Sequence, residues 1–282
     1  MGKQVKAPIS PWRFRIVVGA LFVLALLLVW RTLTLQVLDV DRGYEFLQGQ
    51  GNARTNRTEV IPAHRGMISD RNGEPLAVST PVASIWANPQ ELKNAKEEWA
   101  RLASSLEMKP AELSRRIARY SGSQFMYLRR HMAPAAAQQI MQMKVPGVYL
   151  QREYRRFYPA GEVTAHVLGF TDIDDRGQEG LELAYDEWLN GTPGRKQVLK
   201  DLYGNIIREI DAGEAASPGK DIQLSIDLRL QYLAYKELKS AITKTGAKAG
   251  SVVIIDSESG EVLAMVNQPS FNPNNRSQLV PD

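Results

Sequence analysis

The chain has 282 residues, enough for an anchor plus one or two globular units, and 44% of them are hydrophobic, which supports a packed core. It contains no cysteine, so disulfides, thiolate zinc sites and cysteine nucleophiles are excluded. The net charge of +4 comes from scattered basic residues, clustered only at Arg129 and Arg130 and at Arg152, Arg155 and Arg156. No nucleic-acid motif accompanies them, and the charge reads as topology signal plus solvated surface.

Residues 16–30 (IVVGALFVLALLLVW) carry no charged or strongly polar side chain. A spanning helix needs about 20 mostly apolar residues, so the flanks count too: Trp12 and Phe14 on one side, residues 32–38 on the other. Arg31 interrupts the run, and an arginine at that depth is costly unless it snorkels or meets a partner. Lys3, Lys6, Arg13 and Arg15 precede the run, which predicts a cytoplasmic N-terminus. The rival reading is a cleaved signal peptide, but no Ala-x-Ala-like site follows the run, which favours an uncleaved, single-pass signal anchor.

After a polar connector (39–57), apolar stretches flank Asn72-Gly73, and this predicts a β-hairpin with a type I′ turn. Asn88 N-caps a helix that starts at Pro89, with Leu92, Ala95, Trp99, Leu102, Ala103 and Leu106 on one face. Pro110 starts a second helix burying Leu113 and Ile117, and 133–143 a third. Residues 145–147 are a turn, 148–157 a strand and 158–161 another turn. Asp172 and Asp174 mimic the first ligands of an EF-hand loop, but Arg176 and Leu183 occupy the positions where it needs an acid or amide and a glutamate. Residues 179–189 read more simply as a short helix, and 196–210 as two strands around Tyr203-Gly204-Asn205.

The shift to DAGEAASPGK at 211–220 marks a domain boundary. Beyond it Ile222, Leu224 and Ile226 alternate as a strand. Asp227 N-caps a helix that Gly246 ends. Residues 252–255, apolar throughout, suit a central strand buried on both faces, with 261–266 as its hairpin partner.

Three strings in this region spell the signature of penicillin-recognising acyl-transferases: Ser217 to Lys220, Lys244 to Gly246 and Ser270 to Asn272. The chemistry requires the serine and lysine on one helix, a turn apart. Ser217-Pro218-Gly219-Lys220 instead reads as a type II turn, Lys244-Thr245-Gly246 as a helix end, and Ser270-Phe271-Asn272 runs into Pro273. All three are read as accidental.

A different set of segments carries a resemblance. These are Arg65 to Gly73 (RGMISDRNG) with Leu76-Ala77, Arg156-Phe157-Tyr158-Pro159-Ala160-Gly161, His166 to Phe170, Gly177-Gln178-Glu179-Gly180-Leu181-Glu182, Ser225-Ile226-Asp227 with Leu230-Gln231, and 249–253 through 260–265 to Asn272-Pro273-Asn274. In this order they resemble the class B penicillin-binding proteins, most of all the division-specific septal branch (penicillin-binding protein 3 type). The resemblance implies an α+β chain: a cytoplasmic tail (1–15), a transmembrane anchor (16–38), a periplasmic pedestal or dimerisation domain (39–216), and the start of an α/β transpeptidase domain (217–282).

It further implies a bacterial inner-membrane protein of the division septum that cross-links stem peptides through a serine acyl-enzyme. The partners implied are the inner membrane, the polytopic septal glycan polymerase and other division proteins, with no cofactor, metal or nucleic acid. In the family the catalytic S-x-x-K follows the Asn-Pro-Asn-Asn-Arg stretch, so it is expected beyond Asp282. Stem peptides and beta-lactams would act only there, and no residue present is assigned acylation chemistry. The alternative is a non-catalytic, membrane-anchored interaction module.

The pedestal motif residues are Arg65, Gly66, Asp70, Arg71, Asn72, Gly73, Arg156, Tyr158, Pro159, Gly161, Gly177, Glu179, Gly180 and Glu182. Gly66, Gly73 and Gly161 are expected to supply unusual backbone angles. Arg65, Asp70 and Arg71 are expected to form a structural ion-pair network, with direct partner contact as the other reading. Trp86, Trp99 and Trp188 read as core; His64, His131 and His166 are too dispersed to argue a metal site. Arg31 is the candidate contact to a membrane partner.

Overall fold

The computed structural model describes residues 11–36, 56–200 and 206–275. The apolar run forms α1 (Pro11–Gln36). Its stretch Trp12–Thr32, 21 residues long, is apolar enough to cross a membrane, and nothing among the described residues covers it. At 1.5 Å per residue that stretch reaches about 31 Å, the thickness of a bilayer's hydrocarbon core. Arg31 is its next-to-last residue, at the edge of the apolar zone, where a long side chain reaches the headgroups. The expected end near Leu38, most of the expected tail (1–15) and most of the connector lie outside the described residues.

β1 (Asn56–Ile61) and β2 (Ile68–Ser69) lead into the long β3 (Pro75–Ala87). β2 and β3 form the hairpin expected at Asn72-Gly73, but the turn is not type I′. Gly73 has a positive φ of +85° and Asn72 does not. The Gly73 N–H donates to Asp70 O (3.1 Å), and the Asp70 N–H donates to Glu74 O (2.8 Å), which makes a type I turn closed by a glycine bulge. Asp70 decides this: its Oδ1 accepts from the N–H groups of Asn72 (2.7 Å) and Glu74 (2.9 Å) and holds the residues between them in that turn.

Asn88 caps as expected, its side chain accepting from the Gln90 N–H. The helix after it is broken, though: α2 (Pro89–Leu92) is one turn, a 3-10 turn follows at Lys96–Glu98, and then α3 (Trp99–Ser105) begins. The Trp99 indole N–H donates to Leu92 O at 2.9 Å, so a side chain takes a carbonyl that a continuous helix would use. The predicted inward residues still meet the core. α4 (Pro110–Arg119) buries Leu113 and Ile117. β4 (Met126–Met132), a strand not expected from the sequence, is followed by α5 (Pro134–Gln142) and β5 (Val148–Phe157). β3 lies between β4 and β5, antiparallel to both, and the helices pack on this sheet around Ile85, Leu92, Leu102, Leu113, Leu128 and Ile140.

After the 158–161 turn, α6 (Ala165–Leu168) is a single turn. The helix expected over 179–189 is two short ones, α7 (Gly180–Ala184) and α8 (Asp186–Leu189), separated by Tyr185 with φ −115° and ψ 28°. β6 (Gly194–Lys200) and β7 (Ile206–Glu214) are the expected strand pair, and β1 joins them in a three-stranded antiparallel sheet. The turn expected at 203–205 lies outside the described residues.

Residues 217–220 are extended, not a type II turn, since Gly219 has no positive φ. They lie along the first unit: Ser217 bridges Thr192, the Gly219 N–H donates to His64 O (2.9 Å), and the Lys220 N–H to Trp188 O (3.0 Å). Trp188, expected in the core, is half exposed, with the Lys220 ammonium 4.2 Å from its ring.

β8 (Ile222–Gln223) is the short realisation of the 222–226 strand and runs parallel to β2. α9 (Leu228–Thr245) has Asp227 as N-cap and left-handed Gly246 as its stop, as predicted. β9 (Gly250–Ile255) and β10 (Val262–Gln268) form an antiparallel pair. The expectation that 252–255 is buried on both faces does not hold. α9 covers Val252 and Ile254, while Val253 and Ile255 face out, 52% and 57% exposed, with nothing among the described residues on that side.

Within the sheet, Glu153 on β5 is the electrostatic centre. Burial raises its pKa, but the carboxyl is lowered to about 2 by His131, whose Nε2 stands 3.4 Å away, by hydrogen bonds from Ser84 (2.5 Å) and Tyr127 (3.0 Å), and by the Arg130 charge (3.3 Å). A depressed folded-state pKa means that ionised Glu153 stabilises the fold above its unfolded value of about 4.3 and that this is lost as pH falls towards 2. Urea denaturation at a series of pH values should therefore show a shallower loss of stability between pH ~5 and ~2 for Glu153→Gln than for the wild type; parallel curves would rule this out.

Candidate functional site: a buried arginine–glutamate centre

Two of the motif residues, Arg65 and Arg156, converge on a third, Glu182, which is fully buried at the third position of the one-turn helix α7. Its Oε2 accepts from Arg65 Nε at 2.6 Å and its Oε1 from Arg156 Nε at 2.7 Å. Both arginines are also out of solvent, 2% and 1% exposed. Arg65 precedes β2, Arg156 is near the end of β5 and Glu182 is on α7, so one carboxylate ties three distant stretches of chain.

Most of the remaining donors are also used; Arg156 Nη2 is buried and has no hydrogen-bond partner among the described residues. Arg65 Nη1 donates to Asp186 Oδ1 (2.7 Å) and Asp175 O (3.2 Å), and Nη2 to Glu182 O (2.7 Å). Arg156 Nη1 donates to Gly66 O (2.7 Å) and Ser79 Oγ (3.3 Å), and the Arg156 backbone N–H to Asp175 Oδ1 (3.3 Å). Asp186 also accepts from the Gly177 N–H at 2.8 Å. Two guanidinium groups thus face the carboxylates of Glu182 and Asp186, and nearly every polar atom has a partner, the condition under which buried charge is tolerated. The centre holds together segments of chain that are far apart in sequence.

Of the expected Arg65–Asp70–Arg71 network, only Arg65 belongs to a buried ion-pair centre. Arg71 pairs with Glu261 at 3.3 Å on the surface. Asp70 makes no ion pair among the described residues. It organises the hairpin turn and accepts from the Leu228 N–H (3.1 Å), which joins the hairpin to the start of α9. Burial raises the Asp70 pKa, but hydrogen bonds from the backbone of Leu228, Glu74 and Asn72 and from the Asn72 side chain outweigh it and hold the carboxyl below its ordinary value. The sequence pattern missed the real partners because residues 110 or more apart meet only in the folded chain. Asp175, Asp186 and Ser79 carried no local signal beyond the acidic bias of 172–187.

The glycines divide by cause. Gly73 and Gly161 do have positive φ, +85° and +51°. Gly66 does not. A Cβ there would stand 2.0 Å from Lys220 O, so close backbone approach excludes a side chain; Gly177 is similar, with Glu182 O at 2.1 Å. Gly180 and Glu179 form the start of α7, and Tyr158 is fully buried beside exposed Pro159. The EF-hand-like Asp172 uses its Oδ1 to accept from the Asp174 (2.8 Å) and Arg176 (3.0 Å) N–H groups in a turn. Removing one member of a buried ion-pair centre leaves uncompensated charge, so Glu182→Gln should lower the unfolding free energy by about 3–5 kcal/mol in urea titration. A change under about 1 kcal/mol would mean that the centre is solvated.

Comparison with known proteins places this centre in a family. Residues 60–224, more than half of the chain, match the Penicillin-binding Protein dimerisation domain, and residues 250–281 match the Penicillin binding protein transpeptidase domain. The chain is 46% identical over 271 residues to the probable peptidoglycan D,D-transpeptidase PbpC of Pseudomonas aeruginosa, covering 96% of this chain and 47% of that protein. It is 43% identical over 271 residues to the peptidoglycan D,D-transpeptidase FtsI of Escherichia coli, covering 94% of this chain and 45% of that one. It thus spans about half the length of these relatives. Among solved structures, a penicillin-binding protein in complex with MreC from Helicobacter pylori has the same fold, with a TM-score of 0.58 at 21% identity over 78% of this chain and 44% of that chain. Every member of the Glu182 centre lies inside the dimerisation-domain match. The chain belongs to the class B penicillin-binding proteins, carrying their dimerisation domain and the start of their transpeptidase domain.

Proposed function

We propose that the chain is the N-terminal part of a septal peptidoglycan D,D-transpeptidase, which cross-links stem peptides through a serine acyl-enzyme during cell division. The observation that carries this reading is the continuous likeness to two peptidoglycan D,D-transpeptidases, at 46% and 43% identity, through both domains. On this reading α1 is the single-pass anchor in the inner membrane, with the basic N-terminus in the cytoplasm and the bulk in the periplasm. Residues 39–216 are the pedestal that the Glu182 centre stiffens, and 217–282 begin the acyl-transfer domain. The serine and lysine that perform the chemistry follow Asp282, and the residues present hold and place that domain.

The partner on this reading is a polytopic glycan polymerase, contacted through α1 and the pedestal. A structural relative in complex with MreC is in keeping with a pedestal that meets other cell-wall proteins. Arg31 sits where the apolar span ends, and on this reading its charge meets a neighbouring membrane protein.

The reading frame is expected to continue past Asp282 into a helical S-x-x-K, and the protein expressed with that continuation should form a stable adduct with labelled penicillin. A stop codon directly after Asp282, or no adduct, favours the membrane-anchored interaction module instead. Arg31→Leu should weaken co-purification with the membrane partner while leaving membrane insertion unchanged; equal recovery of the partner would remove Arg31 from the interface.

A further inference from the structure

The last described residues are stitched to the pedestal, and one side chain makes the central contact. The Asn274 Oδ1 accepts from the Tyr158 N–H at 3.0 Å, while its Nδ2 donates to Tyr158 O at 2.9 Å. This is the pair of bonds that a neighbouring strand would make, supplied by a carboxamide just past the end of β5. Arg155 Nη2 donates to Asn274 O at 3.2 Å, and the Asn274 N–H donates to Asn272 Oδ1 at 3.0 Å, which sets the local turn. On the N-terminal side Ser270 Oγ donates to Glu162 O at 2.7 Å, and the Phe271 ring meets those of His166 and Phe170 edge-on, with centroids at 5.4 and 5.9 Å.

The same pedestal turn is held from the other direction. Gln231 on α9, 1% exposed, donates from Nε2 to Val163 O (2.9 Å) and Met265 O (2.7 Å), and accepts from the Met265 N–H (2.8 Å). Tyr235 OH donates to Glu162 Oε2 at 2.5 Å. Residues 158–163 are therefore gripped by α9, by β10 and by the segment after it. A carboxamide is suited to the Tyr158 position because it offers a donor and an acceptor side by side. Engaging both polar atoms of one buried residue fixes direction as well as distance.

We propose that Asn274 is a positioning residue for acyl transfer: clamped on Tyr158, it sets on the pedestal the segment by which the chain enters the remainder of the transpeptidase domain. The proposal rests on the transpeptidase reading above, and the match to that domain runs through the clasp, over residues 250–281. Misplacement of a reacting group by about an ångström costs up to ~10²-fold in rate, so the clasp acts on the chemical step more than on binding.

The test uses the protein expressed from the full reading frame, with labelled penicillin as the probe, and separates non-covalent affinity from the acylation rate constant. Asn274→Ala should slow acylation roughly ten- to a hundredfold with little change in affinity. Asn274→Asp keeps the shape but loses the donor and turns an anion towards Tyr158 O, so it should be at least as slow. Glu153→Gln, which weakens the pedestal away from the clasp, should acylate at the wild-type rate. Wild-type rates for both Asn274 variants, or an equal slowing by Glu153→Gln, would overturn the proposal. A wild-type protein that forms no adduct would fail the transpeptidase reading itself. Hydrogen exchange in the same full-length protein then reads the clasp alone: Asn274→Ala should deprotect the Tyr158 amide, and unchanged protection overturns the clasp.

Discussion

Glu182 sits where solvent does not reach, between two arginines that are equally buried, and much of the molecule's layout follows from keeping that charge satisfied. A lone buried carboxylate would be prohibitive, and two buried guanidinium groups more so. The arrangement is tolerable only if α7, the end of β5 and the segment before β2 are all present at once. Several features that look unrelated serve this end. Asp186 starts a new helical turn beside Tyr185, and its carboxylate reaches Arg65 and the Gly177 N–H. Gly66 brings its carbonyl within 2.7 Å of Arg156, and its lack of a side chain admits Lys220 O on its other side.

The centre also bears on how the two halves of the chain meet. The segment after β7 runs along the residues next to Arg65, donating to His64 O and Trp188 O and then pairing β8 with β2. Asp70 caps the hairpin turn and takes the Leu228 N–H, while residues 158–163 receive Gln231, Tyr235 and Asn274. The pedestal motifs thus have an inner end, fixed by ion pairs, and an outer end, fixed by hydrogen bonds to the second unit. A family whose chemistry lies in that second unit has reason to keep both ends rigid.

Much of this was legible before the fold was known. The apolar N-terminal helix, the Asn88 and Asp227 caps, the Gly246 stop and β5 follow from local composition and spacing, and the motif segments pointed to the family. Where structure and expectation differ, a side chain or the packing had displaced a backbone preference. The Asn72-Gly73 turn changed type because the Asp70 carboxylate took two turn N–H groups. The helix after Asn88 broke where the Trp99 indole took the Leu92 carbonyl. β9 is bare on one face because α9 covers only the other among the described residues.

The sequence by itself determined the elements that depend on nearest neighbours: an apolar run long enough for a bilayer, helices with their caps, and glycines at turns, since those energies lie within a few residues of chain. The tertiary structure alone decided which charges pair. Arg65 has one acidic residue in its own motif, Asp70, yet it pairs with Glu182 and Asp186, more than a hundred positions away. Burial sets that choice, because only inside the protein does an unpaired charge carry a large penalty, and sequence distance places no limit on which residues are buried together.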